Sequence, residues 1–192
     1  MGKPVLGVVI ASTRPTRVGP VVAQWFVEHA RQHDAFDVRV IDLAEVNLPM
    51  FDEPLHPRLG RYEHEHTKRW SAIVSGVDAF VFVVPEYNYG FNAAIKNAID
   101  YLHVEWQHKA LGFVSYGGVA AGTRAVQMLK AVVTTLKMVP VFDSVNIPFV
   151  AQFIADGVLT ANEPMTAGAD AMLNELARWE TALAPLRAGA AG

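Results

Sequence analysis

The chain has 192 residues, 52% of them apolar and 18% charged, with sixteen Lys and Arg against nineteen Asp and Glu. That composition is too apolar for disorder, and a net charge of −3 gives no general pull toward nucleic acid or anionic lipid. Cysteine is absent, which excludes disulfides, thiol nucleophiles, iron–sulfur clusters and Cys-ligated zinc, so redox chemistry needs an organic cofactor or a metal on other ligands.

The first apolar run, Val5–Ala11, follows a single Lys and runs into Ser12-Thr13-Arg14-Pro15 with no small-x-small cleavage site. It reads as a buried strand and not as a secretion signal. No apolar run approaches the ~18 residues of a spanning helix, so a soluble cytoplasmic protein is expected. A helix over Pro20–Gln32 places Val22, Phe26 and Ala30 on one face, and a second strand, Phe36–Leu43, follows. Next come a helix over Thr67–Val77 (Trp70, Ile73, Val74) and a third strand, Ala79–Val84. A helix over Ala93–Trp106 aligns Ile95, Ile99 and Leu102 ahead of a fourth strand, Ala110–Ser115. A helix over Gly122–Lys137 aligns Val126, Leu129, Val133 and Leu136, and a fifth strand spans Val139–Val145. The last helix, Ala167–Leu186, aligns Met172, Leu176, Trp179 and Leu183, leaving 189–192 as a flexible tail.

The strands are continuous apolar runs, as in Phe80-Val81-Phe82-Val83-Val84, which suits strands covered on both faces. The expected fold is therefore α/β, a single domain over 1–188 with a doubly wound, five-stranded parallel sheet of order 2-1-3-4-5. Two irregular stretches, Asn47–Arg61 and Asn146–Pro164, break the rhythm, and the first reads as an interface or active-site arm.

Ligands of such a sheet bind beyond the carboxyl ends of its strands, where strand order reverses. Behind the first strand, Ser12, Thr13, Arg14, Thr16, Arg17 and Gly19 combine hydroxyls, guanidiniums and the free amides of a helix start. That set suits a phosphate, and a solvated loop with an N-cap has the same composition. It is neither GxGxxG nor GxxxxGK[ST], so the dinucleotide and Walker fingerprints are missing. Behind the third strand, Pro85, Glu86, Tyr87, Asn88, Tyr89 and Gly90 lead to Phe91 and Asn92; the aromatics suggest a flat ligand, and Asn92 reads as the N-cap of the next helix. Behind the fourth, Ser115, Tyr116, Gly117 and Gly118 begin a glycine-rich turn that lets backbone approach a ligand closely. An anion site beside a flat, amide-rich slot describes a planar ring with a phosphate tail, for which FMN is the leading candidate.

Ser12-Thr13-Arg14 with Arg17 and Gly19, Pro85-Glu86-Tyr87-Asn88, Lys96-Asn97-Ala98-Ile99-Asp100-Tyr101-Leu102 and Ser115-Tyr116-Gly117-Gly118 resemble the NADPH-dependent FMN reductase family. The resemblance runs from about Val5 through Pro140. It implies a homodimer or homotetramer with FMN near the subunit interface, NADPH or NADH as co-substrate, and a quinone-like small-molecule acceptor. By position, Ser12, Arg14 and Arg17 would hold the phosphate, while Pro85 to Gly90 and Ser115 to Gly118 would frame the isoalloxazine. Ala11 stands where the family often has Gly, and Gly90 and Asn92 stand where it often has Ser and Pro. The flavin carries the chemistry, so no catalytic side chain is named. A flavodoxin-type electron carrier without NAD(P)H turnover is the alternative.

Other clusters carry less. His29 and His33 are an i, i+4 pair without the Glu of HExxH, and Glu63-His64-Glu65-His66 reads as a polar helix start, so no metal site is expected. Trp70, Trp106 and Trp179 read as core or interface residues.

Overall fold

In a computed structural model, residues 2–189 are described. Six helices, one of them a single turn, and a parallel sheet alternate among the described residues: β1 (Val5–Ile10), α1 (Gly19–His33), β2 (Asp37–Asp42), the one-turn α2 (Leu43–Val46), α3 (Glu65–Ser75), β3 (Ala79–Pro85), α4 (Ala93–Asp100), β4 (Ala110–Tyr116), α5 (Thr123–Thr134) and, last, α6 (Glu163–Gly189). The sheet runs β2-β1-β3-β4-β5, with β5 at Val139–Pro140, and every pairing in it is parallel. Beyond Gly189, the expected tail lies outside the described residues.

Alternate residues of the central strands feed two cores. Leu6, Val8, Val81, Val83 and Val114 pack against α1 and α6, while Val9, Phe80, Phe82 and Phe113 pack against α3, α4 and α5. The predicted helix faces are buried, with Ile73 and Leu136 half-buried; Trp179 is exposed, and its indole donates to Glu175 Oε1 on its own helix at 2.9 Å.

Two elements depart from the sequence reading. The expected fifth strand is split: Val139–Pro140 pairs with Ala110–Leu111, and β6 (Val145–Ile147) pairs with Val114–Tyr116. Four residues of the edge (141–144) thus lie opposite two of β4 (112–113), a two-residue bulge that follows a proline without an N–H and turns Phe142 outward, 90% exposed. The helix expected to reach Trp106 stops at Asp100. There the buried indoles of Trp70 and Trp106 take the carbonyls of Ala98 (2.8 Å) and Ile99 (3.1 Å), and the chain continues as a short 3₁₀ turn, Val104–Trp106. The second irregular stretch holds a small hairpin, β7 (Ile154–Ala155) with β8 (Val158–Leu159).

Lys109, one residue before β4, is buried with its ammonium donating to Val74 O at 2.7 Å. Burial, with Arg187 nearby, pushes its pKa down to about 8. The folded state therefore binds this proton less tightly than the unfolded chain. Its contribution to stability rises with pH from about 8 to the ordinary lysine value, by at most ~3 kcal/mol. Lys109→Met is expected to flatten that rise, which denaturant titrations at a series of pH values between 7.5 and 10 measure; an unchanged slope would contradict it.

Candidate functional site

Loops 11–18, 86–92 and 117–122 leave the carboxyl ends of β1, β3 and β4. Three hydrogen bonds tie them together: Asn92 Nδ2 to Ala11 O at 2.6 Å, Glu86 N to Tyr116 O at 3.3 Å, and Tyr116 Oη to Ser12 Oγ at 3.2 Å. They meet between β1 and β3, where the chain changes direction across the sheet. Asn92 does occupy the N-cap position of α4, but its side chain makes no cap bond. Its amide goes to Ala11 instead, and its buried Oδ1 has no partner among the described residues.

In the first loop the amides of Ser12, Thr13, Arg14 and Thr16 have no partner among the described residues. Thr13 and Arg14 are exposed, and the Arg14 guanidinium touches only Thr16 Oγ1, at 3.3 Å. Arg17 differs. Its two terminal nitrogens fork onto Asp42 at 2.5 and 2.7 Å, and one also reaches Ser12 O at 2.6 Å. Asp42 in turn accepts the Ala44 amide at the start of α2. The expected role of Arg17 in the phosphate site is therefore revised: its charge is already matched, and it braces the loop against β2. Ser12 is buried, with its hydroxyl turned toward Tyr116. Burial raises the Tyr116 pKa to about 12, so its hydroxyl keeps its proton near neutrality. Gly19 makes this junction possible, because a Cβ there would lie 2.3 Å from Ser12 Oγ and 2.8 Å from Tyr116 Oη.

In the second loop Pro85 ends β3 and is buried. Tyr87 and Gly90 exchange both backbone hydrogen bonds, at 2.9 and 3.0 Å, around Asn88 (φ 51°) and Tyr89 (φ 72°). Two positive φ values make a type I′-like turn, a conformation that suits asparagine and glycine. A tyrosine in its second position stores roughly 1–2 kcal/mol of strain. The amides of Asn88 and Tyr89 have no partner among the described residues, and Tyr89 is 69% exposed. The Glu86 carboxylate turns inward to Arg124 at the start of α5, accepting from its Nε at 2.6 Å, from its amide at 3.2 Å and from its Nη2. The Arg124 guanidinium carbon lies 3.6 Å from the centre of the Tyr89 ring.

In the third loop Gly117 N donates to Ile147 O, and Gly118 O accepts from Ala121 and Phe149. The amides of Gly118, Val119 and Ala120 have no partner among the described residues, and a Cβ at Gly118 would meet nothing within 4 Å. The Ser115 hydroxyl lies 2.8 Å from Ala121 O and 2.9 Å from Asn146 Oδ1. It ties the loop and β6 to β4 and does not face the rim. Arg124 and Asn92 are the functional positions that composition understated; nothing in the local sequence shows that Arg124 reaches back to Glu86.

The donor chemistry fits FMN: unpaired amides and one uncommitted guanidinium at the first loop suit a phosphate, and amides beside flat surface at the other two suit a planar heterocycle. A cavity of about 840 Å³ lies elsewhere, between the arm at 51–57, α4 and the end of α5. Its lining is mostly apolar, and its Lys96 is paired with Asp100 at 2.6 Å, so it lacks the donor set of the rim. The KNAIDYL segment holds this arm. Asn97 accepts from Phe51 N at 2.9 Å and donates to Pro49 O at 2.7 Å, and Tyr101 Oη donates to Asp52 at 2.8 Å. Asn97→Ala is expected to cost about 1–3 kcal/mol and to speed limited proteolysis within 48–60. Unchanged cleavage would contradict that clamp.

Among the described residues no group of three or more His, Asp or Glu side chains gathers around a metal position. His29 and His33 pin α1 to Asp170 and Asn174 of α6, and His66 meets Asp52 at 2.9 Å.

A β2-β1-β3-β4-β5 parallel sheet with its ligand loops at the switch point defines a flavodoxin-like protein. The solved flavoenzyme NAD(P)H:(acceptor) oxidoreductase of Paracoccus denitrificans shares the fold, with a TM-score of 0.73 at 20% identity over 94% of this chain and 98% of that one. Residues 4–152 match the profile described as NADPH-dependent FMN reductase. An NAD(P)H-dependent FMN reductase of Schizosaccharomyces pombe is 42% identical over 149 residues, 76% of this chain and 74% of that protein. Another, from Nectria sp, is 34% identical over 177 residues, 86% and 88% of the two chains. The chain belongs to the NADPH-dependent FMN reductase family and is an FMN-dependent NAD(P)H oxidoreductase.

Proposed function

We propose that the rim of the three loops holds FMN and that a quinone-like acceptor takes the electrons. When bound, FMN supplies hydride chemistry at N5 of its ring, receiving from NAD(P)H and giving to the acceptor. The residues do the rest. Thr13, Arg14 and the amides of Ser12, Thr13, Arg14 and Thr16 bind the phosphate. The amides of Asn88, Tyr89 and Gly118 orient the ring, with Tyr87 and Gly117 at its borders. Ser12, Arg17, Gly19, Pro85, Glu86, Ser115 and Tyr116 hold these donors in place. No side chain is assigned a proton-transfer role. Tyr89 is exposed and a Cβ at Gly118 would meet nothing within 4 Å, which leaves room for a second flat molecule. An NAD(P)H:quinone oxidoreductase of Solanum tuberosum is 34% identical over 97 residues, 47% of this chain and 50% of that one, which supports the acceptor class. The observation that carries the reading is the cluster of unpartnered amides around Arg14.

The working unit of this reading is one domain over 1–188, paired with a second copy. A two-fold interface must complement itself. The arm offers exposed Met50, Phe51, Leu55 and Leu59 beside the apolar 840 Å³ groove, so each copy has both the apolar residues and the place for them. No described helix is long and apolar enough to cross a membrane, and we place the protein in the cytoplasm, where NAD(P)H is supplied. The protein is expected to purify yellow or to take up added FMN, and to oxidise NADPH when a quinone is present. A colourless protein that ignores FMN would overturn the reading.

A further inference from the structure

We propose that Arg124 is a positioning residue for the cofactor: by stacking on Tyr89 it holds the Asn88–Tyr89 turn in the strained conformation that presents two free amides to FMN. The inference rests on the FMN site proposed above and concerns how one of its loops is held.

Arg124 sits in the first turn of α5, the end of a helix dipole that disfavours a cation. Helix stability therefore does not account for it. Its partner does. The Glu86 carboxylate is nearly buried and takes three donors from this one residue: the amide, Nε and Nη2. That anchor fixes the guanidinium, whose central carbon lies over the Tyr89 ring, 3.6 Å from its centre. Arg124 thus joins the loop after β3 to the loop after β4, the two loops assigned to the ring. With its charge matched by Glu86, it is also a poor candidate for reading the 2′-phosphate of NADPH.

The turn needs such a hold. The Tyr87–Gly90 bridge closes it, but both central residues carry positive φ and neither is glycine. A tyrosine freed from the guanidinium would leave this conformation readily, taking the Asn88 and Tyr89 amides with it. A flat, delocalised cation with a fixed orientation is required, which an ammonium does not supply.

The test is a titration of apoprotein with FMN, followed by quenching of flavin fluorescence, with thermal melts as a control for folding. Arg124→Ala and Arg124→Lys are expected to weaken binding about 5- to 20-fold. Tyr89→Phe keeps the stack and stays within about twofold. Because Arg124→Ala strands a buried carboxylate, the deciding variants are at Tyr89, where the Glu86–Arg124 pair survives. Tyr89→Ala loses the stack and keeps the strain, so it is expected to bind about as weakly as Arg124→Ala. Tyr89→Gly loses both and is expected to recover to within about threefold of the parent. If Tyr89→Gly is as weak as Tyr89→Ala, the ring contacts FMN itself and the inference falls. It also falls if Tyr89→Ala binds like the parent. A parent protein that takes up no FMN overturns the cofactor reading and this inference with it.

Discussion

Replacing Arg14 by alanine is expected to weaken FMN binding about 10- to 100-fold while leaving the melting temperature of the apoprotein within about 2 °C of the parent. Loop 11–18 contains two guanidiniums, and only Arg14 carries no carboxylate partner among the described residues. Arg17 is forked onto Asp42, whereas Arg14 touches only a threonine hydroxyl. A charge-assisted contact to phosphate contributes about 1.5–3 kcal/mol, which sets the range, and an exposed side chain with one long hydrogen bond adds little to the fold. Arg17→Ala should act on the fold first, and on FMN binding only through the loop it braces. It leaves the part-buried Asp42 carboxylate and Ser12 O without their partner, so stability falls by about 3–5 kcal/mol. Equilibrium binding and calorimetric melting on both variants measure the exchange of roles. An Arg14→Ala protein with parental affinity would contradict the phosphate assignment.

Gly122→Ala is expected to be the most damaging single-methyl change at the rim. Gly122 ends the third loop at φ 80°, and a Cβ there would lie 2.9 Å from Ser115 Cβ, 2.9 Å from Tyr116 N and 3.1 Å from Tyr116 O. Two of those neighbours are backbone atoms of β4 and cannot swing aside. The clash adds to the cost of a left-handed conformation, for a total of roughly 2–5 kcal/mol. Strain at this point displaces the Gly118–Ala120 amides as well, so FMN binding should fall along with stability. Gly118→Ala is the control: its Cβ meets nothing within 4 Å, so the apoprotein should melt like the parent. Denaturant unfolding of the two variants decides; a Gly122→Ala protein as stable as the parent would show that the loop relaxes freely.

The layers of this fold were legible because their signals are local. Five continuous apolar runs with amphipathic stretches between them suffice for a two-faced parallel sheet, and the three rim loops lie at the strand ends so predicted. What was not legible depends on residues far apart in the chain. The stop of α4 at Asp100 depends on indoles from Trp70 and Trp106, and hydrophobic periodicity continues through it. The split of the edge strand depends on how β4 lies alongside it, although Pro140 marks the place.

At the site, composition identified the loops but not the division of labour within them. Arg14 and Arg17 look alike until Asp42, 25 residues on, selects one of them. Ser12, Ser115 and Tyr116 carry hydroxyls that suggest ligand contacts, and the structure turns all three inward to join strand to loop. Asn92 reads as a helix cap, and its amide is taken by Ala11, 81 residues back. The KNAIDYL block is conspicuous as a motif, and its geometry explains it as the clamp on the arm.

The most direct measurement is a backbone amide chemical-shift titration of the isotope-labelled apoprotein with FMN. Large shifts are predicted at Ser12–Arg14, Thr16, Asn88–Gly90 and Gly117–Ala120, saturating together at one equivalent. Shifts confined to Phe51–Pro57 and the facing turns of α4 and α5, with the three loops silent, would contradict the account and put the cofactor in the groove instead.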